Sequence, residues 1–151
     1  MNVVQLCTMY VGRFLLSGIF LISAVHEMLD WGSTEQYFLM SINRWMNTFQ
    51  SNEFMAPILL SISPWMPWFL LLAIVFKLVG SFLLILGCSV RLGATLLLLF
   101  LIPTTLIVHC FWSLPVQDKP IEMVMFMKNI SILGGLLVVL AVGKGKSVFK
   151  K

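Results

Sequence analysis

Four long apolar stretches occupy most of this 151-residue chain, and each carries an ionisable group. Glu27 falls late in the first, Lys77 inside the second, His109 late in the third and Lys128 early in the fourth. About 20 apolar residues are what a helix needs to cross a bilayer. In hydrocarbon every backbone N–H and C=O must be bonded within the protein, and for segments of this length that means helix. A charged side chain at the middle of a bilayer costs about 2.5 kcal/mol or more, so it persists where it is paired, hydrated or functional. The pattern predicts an all-α membrane protein: a four-transmembrane-helix bundle holding a polar cluster of Glu27, Lys77, His109 and Lys128 between its helices.

Composition agrees with that class. Hydrophobic residues make up 60% and charged residues 11% of the chain, with a mean hydropathy of +1.00. These values lie far from those of water-soluble domains. No Gly/Ser-rich or Pro-rich linker divides the sequence, so residues 1–151 read as one domain. The net charge of +4 is concentrated in the tail 143–151, through Lys144, Lys146, Lys150 and Lys151. Beside a membrane helix such a tail reads as a cytoplasmic anchor for anionic headgroups, and no nucleic-acid partner is expected. Arg13 interrupts the first apolar stretch, and neither a basic leader nor a small-residue cleavage site flanks it. The first helix is therefore expected to stay in place as a signal anchor.

The spans are expected near Val11–Leu29, Trp65–Leu86, Leu92–Phe111 and Ile121–Val142, with residues before Val11 extending the first helix. Trp65, Trp68 and Trp112 mark one interface. Four spans put both termini on one side, and the bias of Arg91 and the lysine tail makes that side cytoplasmic. The loop 30–64 then lies outside. Within it, Ser33 and Gln36 have capping-box spacing. Phe38, Ile42, Trp45 and Phe49 recur at helical intervals, predicting an additional outer amphipathic helix over Thr34–Gln50. The stretch from Phe54 to Ile62 is too short to span and reads as interfacial or re-entrant.

Helical rise places all four ionisable groups in the outer half of the bundle, with Lys77 the deepest at about 14–18 Å. Their faces carry small and hydroxyl residues: Gly80 and Ser81 beside Lys77, and Ser131, Gly134 and Gly135 on the helix of Lys128. Membrane helices pack closely along such surfaces. The cluster reads either as a functional pocket or as structural glue, with Glu27 paired to Lys77 or to Lys128. His26, Asn129 and Cys110 are secondary candidates. His26 and His109 share a level that would permit an axial haem pair, which is the weaker reading. Cys7, Cys88 and Cys110 show no CxxC spacing, so neither a dithiol centre nor a metal site is expected.

Several phrases resemble the DoxX family. They are Val11-Gly-Arg-Phe-Leu-Leu-Ser-Gly-Ile-Phe20, Lys77-Leu-Val-Gly-Ser-Phe-Leu-Leu-Ile-Leu-Gly87 ahead of Arg91, His109-Cys-Phe-Trp112, and Phe126-Met-Lys-Asn-Ile-Ser-Ile-Leu-Gly-Gly135. The resemblance implies a multi-pass protein of the bacterial inner membrane, accessory to a quinone-linked or oxidative-stress redox system. It makes quinone the cofactor class to consider, and a redox protein or a second copy of the chain the partner. The family places a basic residue late in its first helix and a glutamate in its second. Glu27 and Lys77 reverse that order while keeping opposite charges, as facing positions would. The competing expectation is a non-enzymatic scaffold or receptor that binds a protein or lipid through the outer loop and the bundle pocket.

Overall fold

In the computed structural model, residues 2–48, 57, 61 and 63–143 are described. Among them the chain forms five α-helices: α1 (Val3–Leu29), α2 (Trp31–Thr48), α3 (Met66–Leu86), α4 (Val90–Val108) and α5 (Lys119–Val142). Local chemistry sets most of the ends. Asn2 caps α1 by accepting from the Gln5 N–H at 2.9 Å, while the Gln5 side chain accepts from the Asn2 N–H at 3.3 Å. This reciprocal bonding satisfies two of the otherwise unpaired donors of the first turn. Pro67 and Pro120 sit in the first turns of α3 and α5, where a missing N–H costs nothing. Gly87 ends α3 in the left-handed region (φ 69°), which a residue without a Cβ adopts freely, and α4 begins three residues later.

α1, α3, α4 and α5 are the four helices long and apolar enough to cross a bilayer. Their burial supports that reading. The most apolar eighteen residues of α5 are only 11% buried, and those of α1 only 17%, so their hydrocarbon faces outward. A surface of that kind is stable against lipid and not against water. This is a multi-pass membrane protein. The helices pack in sequence order, α1 on α3, α3 on α4 and α4 on α5, while α1 and α5 meet only marginally. Phe20, Leu84, Ala94, Leu97, Leu101 and Leu136 form the central core.

The connectivity gives the bundle two chemically distinct ends. Glu27, Asp30, Glu35, Asp118 and Glu122 lie at the C-terminus of α1, in α2 and at the start of α5, and this is the acidic end. The N-terminus of α1, the turn from Gly87 to Ser89 and the C-terminus of α5 make the opposite, basic end.

α2 differs from the sequence expectation at its start. It begins at Trp31, one residue after α1 stops, so Ser33 lies inside its first turn and caps nothing. Asp30 alone makes the corner. Its carbonyl accepts from both the backbone N–H and the hydroxyl of Thr34, the latter at 2.8 Å. Phe38 packs onto Ala24, Leu70 and Ile74, and Ile42 is buried, so the apolar side of α2 rests on the bundle. Phe49, the Phe54–Ile62 stretch apart from Pro57 and Ser61, and the lysine tail lie outside the described residues.

A candidate binding site beneath α2

Two of the four ionisable groups meet at the acidic end. Lys77 Nζ pairs with Glu27 Oε2, and Ser23 joins them: its hydroxyl accepts from Lys77 at 3.3 Å and donates to Glu27 Oε1 at 2.9 Å. Lys77 is buried, with its ammonium 4.8 Å from the centroid of the Phe100 ring. The Cα positions of Glu27 and Lys77 differ in depth, and helix geometry closes that gap. Each Cα–Cβ bond tilts towards its own helix N-terminus. α1 and α3 run in opposite directions, so the two side chains lean towards each other.

The other two groups find different surroundings. His109, at the C-terminus of α4, places Nδ1 2.7 Å from Glu122 Oε2 in the first turn of α5. The Glu122 carboxylate also suits the positive end of its helix dipole. Lys128 is exposed and does not enter the bundle interior as its stripe predicted. Among the described residues its ammonium donates to Met125 Sδ, at 3.4 Å, and it stands at the rim of the cavity described below. Glu27 therefore pairs with Lys77 and not with Lys128.

The helix-packing positions also divide. Gly80 and Ser81 are buried against neighbouring helices, whereas Ser131 is exposed and bonds its own helix at Met127 O, 3.1 Å away. Gly134 faces open space, and a Cβ on Gly135 would meet only Leu16 Cδ1, at an ordinary 3.5 Å. The small-residue stripe of α5 thus turns largely outward, because α5 packs mainly on α4 and scarcely on α1. Asn129 is buried and lines the cavity. His26 is exposed and does not line the cavity beside His109, so the two histidines do not converge. Cys110 is buried with Sγ 3.1 Å from Ser113 Oγ. Among the described residues no group of three His, Cys, Asp or Glu side chains is placed to hold a metal.

These groups surround a cavity of about 270 Å³ under α2, reached by Ser23, Glu27, Tyr37, His109, Lys128 and Asn129. Tyr37 is exposed as a residue, but partial burial of its phenol raises the pKa above its ordinary value. The Glu122 carboxylate adds to the effect and Arg44 opposes it, so Tyr37 is a neutral donor at physiological pH. Beside the cavity lies an almost wholly apolar groove of about 570 Å³ between α2, α3 and α4, lined by Ile42, Trp45, Phe69, Phe76 and Ile107 among others. Phe38, Ala73, Phe100 and Thr104 line both spaces and form their common wall. The sequence reading named neither Glu122 nor Tyr37 for this site. Glu122 was detectable as a lone acid opening an apolar helix, whereas the position of Tyr37 depends on how α2 folds back.

A family model described as HR-like lesion-inducing matches residues 5–142, which takes in all five helices and both spaces beneath α2. The chain belongs to the HR-like lesion-inducing family. This corrects the expected DoxX membership. The phrases that suggested it are glycine-punctuated apolar helix with scattered basic residues, a pattern too general to fix a family. The redox role, the quinone and the bacterial inner membrane rested on that resemblance, and they lose their support with it. No curated protein and no solved structure matches the chain.

Proposed function

We propose that this member of the HR-like lesion-inducing family is a non-enzymatic membrane receptor or scaffold that holds an amphiphilic lipid at the acidic end of its bundle. The head would occupy the polar cavity and a hydrocarbon chain the adjoining groove. The observation that carries this reading is the common wall of Phe38, Ala73, Phe100 and Thr104, which sets a polar space directly beside an apolar one. The groove, at about 570 Å³, falls within the range of about 300–1,000 Å³ usual for small-molecule sites. Polar groups suited to orienting a headgroup converge on the cavity: the Lys128 ammonium at its rim, the Tyr37 phenol, and the Asn129 and Thr104 side chains. The paired state of Glu27 with Lys77 and of His109 with Glu122 supports a binding role over a catalytic one, because neither carboxylate stands free beside a nucleophile. On this reading α2 lies at the membrane surface on the side away from the two chain termini, where it covers the ligand.

Ala73→Phe tests the proposal, since a ring at the common wall would fill the junction while leaving the Glu27–Lys77 pair in place. Native mass spectrometry of protein extracted in a mild neutral detergent is expected to find one retained amphiphile on the parent and none on Ala73→Phe. A parent protein without an adduct, or the same adduct on both, would refute it.

A further inference from the structure

The opposite end of the bundle holds a charge with no counterpart. Arg13 is only 4% exposed, and its Nη1 is buried without a hydrogen-bond partner. The hydroxyls of Ser17 and Ser81 are buried and unpartnered as well. Arg13 and Ser17 share the buried stripe of α1 that continues through Phe20 and Ala24. Ser81 lies one turn beyond Lys77 on α3, and Lys77 faces α1, so all three orphaned groups follow the α1–α3 seam.

A buried guanidinium in an apolar surround requires a counter-charge. Among the described residues no carboxylate lies at that end. The six acidic residues of the chain are Glu27, Asp30, Glu35, Glu53, Asp118 and Glu122. The five described ones lie at the acidic end, and Glu53 lies outside the described residues. Residues 2–26, 54–117 and 123–151 contain no Asp or Glu at all. The other charged residue described near the basic end is again positive, Arg91 after the Gly87 turn.

Depth narrows the chemistry. Arg13 precedes Leu29 by sixteen residues on α1, about 24 Å along the axis, and its side chain leans further towards the basic end. Against a hydrocarbon core of about 30 Å, that brings the guanidinium close to the layer of lipid phosphates. The planar guanidinium fork matches two oxygens of a phosphate group.

We infer that Arg13 binds a phosphate-class oxyanion in the α1–α3 seam, with the hydroxyls of Ser17 and Ser81 extending its polar lining towards the bilayer centre. The anion is either the headgroup of an anionic phospholipid or free phosphate. This site is independent of the amphiphile at the acidic end, and either can fail without the other.

Thermal unfolding of the delipidated full chain in a neutral maltoside detergent tests the assignment. Phosphatidylglycerol, diacylglycerol of the same acyl chains and inorganic phosphate are each added to the parent, Arg13→Gln and Arg91→Gln. A phosphate-bearing additive is expected to raise the parent Tm by about 3 °C or more above the diacylglycerol value. Arg13→Gln should abolish that rise, and the exposed Arg91→Gln should keep it. A rise with inorganic phosphate alone assigns a free anion, and a rise only with the phospholipid assigns a headgroup. No phosphate-dependent rise in the parent, or a full rise in Arg13→Gln, overturns the inference. Should Arg13→Gln fail to fold, Arg13→Lys takes its place. A single ammonium instead of the fork is expected to at least halve the rise, and an undiminished rise overturns the inference equally.

Discussion

Lys77 shows how a charge can persist inside an apolar bundle. Its ammonium has a carboxylate, a hydroxyl and an aromatic face around it, so its desolvation is offset on several sides. Removing one partner of such a pair strands the other, at a cost of about 3–5 kcal/mol when both are buried. Glu27 keeps 21% of its side-chain exposure, which puts this pair towards the lower end of that range. Glu27→Lys and Lys77→Glu should each sharply lower stability in detergent, because each places like charges together. The double exchange should recover much of the loss, since the two side chains lean towards each other whichever carries the positive charge. A double mutant that melts no higher than the worse single mutant would show that the two positions are not energetically coupled.

At the scale of elements, the tightest contact is between α3 and α4. A Cβ on Gly93 would come within 2.7 Å of the Gly80 carbonyl oxygen and 3.0 Å of Leu83 Cβ. A Cβ on Gly80 would come within 2.8 Å of Leu97 Cγ. Because one of these atoms is backbone, relief requires the helices to separate. Gly93→Ala is expected to cost about 1–3 kcal/mol, read as a lower detergent melting temperature. Gly134→Ala, with nothing within 4 Å, should melt within about 0.5 kcal/mol of the parent. Equal melting of the two variants would mean that α3 and α4 are not in close contact at these glycines. Beyond the same helix pair, α4 contains Pro103, whose neighbours Thr104 and Thr105 donate to the carbonyls of Phe100 and Leu101 at 2.9 and 2.6 Å. Those hydroxyl bonds add to the backbone ladder of α4 where proline cannot donate.

Over the whole molecule, acidic charge is sorted by end. The five described acidic residues gather around α2 and the start of α5, alongside Arg44, Lys77, Lys119 and Lys128, whereas the charged residues described towards the other end are Arg13 and Arg91. By the distribution of positive charge, four crossings are expected to put the two ends of the chain on one side of the bilayer and α2 on the other. A reporter fused after Lys151 and one inserted between Gln36 and Tyr37 are expected to report opposite compartments. Labelling of both from the same side of sealed vesicles would refute four crossings.

The class of this protein was legible in residue order alone. A run of apolar residues longer than a bilayer is thick has one stable form in lipid, so residue order alone points to four helices long and apolar enough to cross it. Which stripes face protein was another matter. Lipid and a packed helix both accept apolar and small side chains, so sequence periodicity cannot tell the outward Ser131–Gly134 surface from the buried Gly80–Ser81 surface. Only the arrangement of helices decided that α5 leans on α4 and scarcely touches α1, which turned Lys128 outward. The same arrangement paired His109 with Glu122 across a turn and folded α2 back to place Tyr37 over the cavity. Pairings of this kind depend on distances between helices, and those distances are set by side chains far apart in the chain.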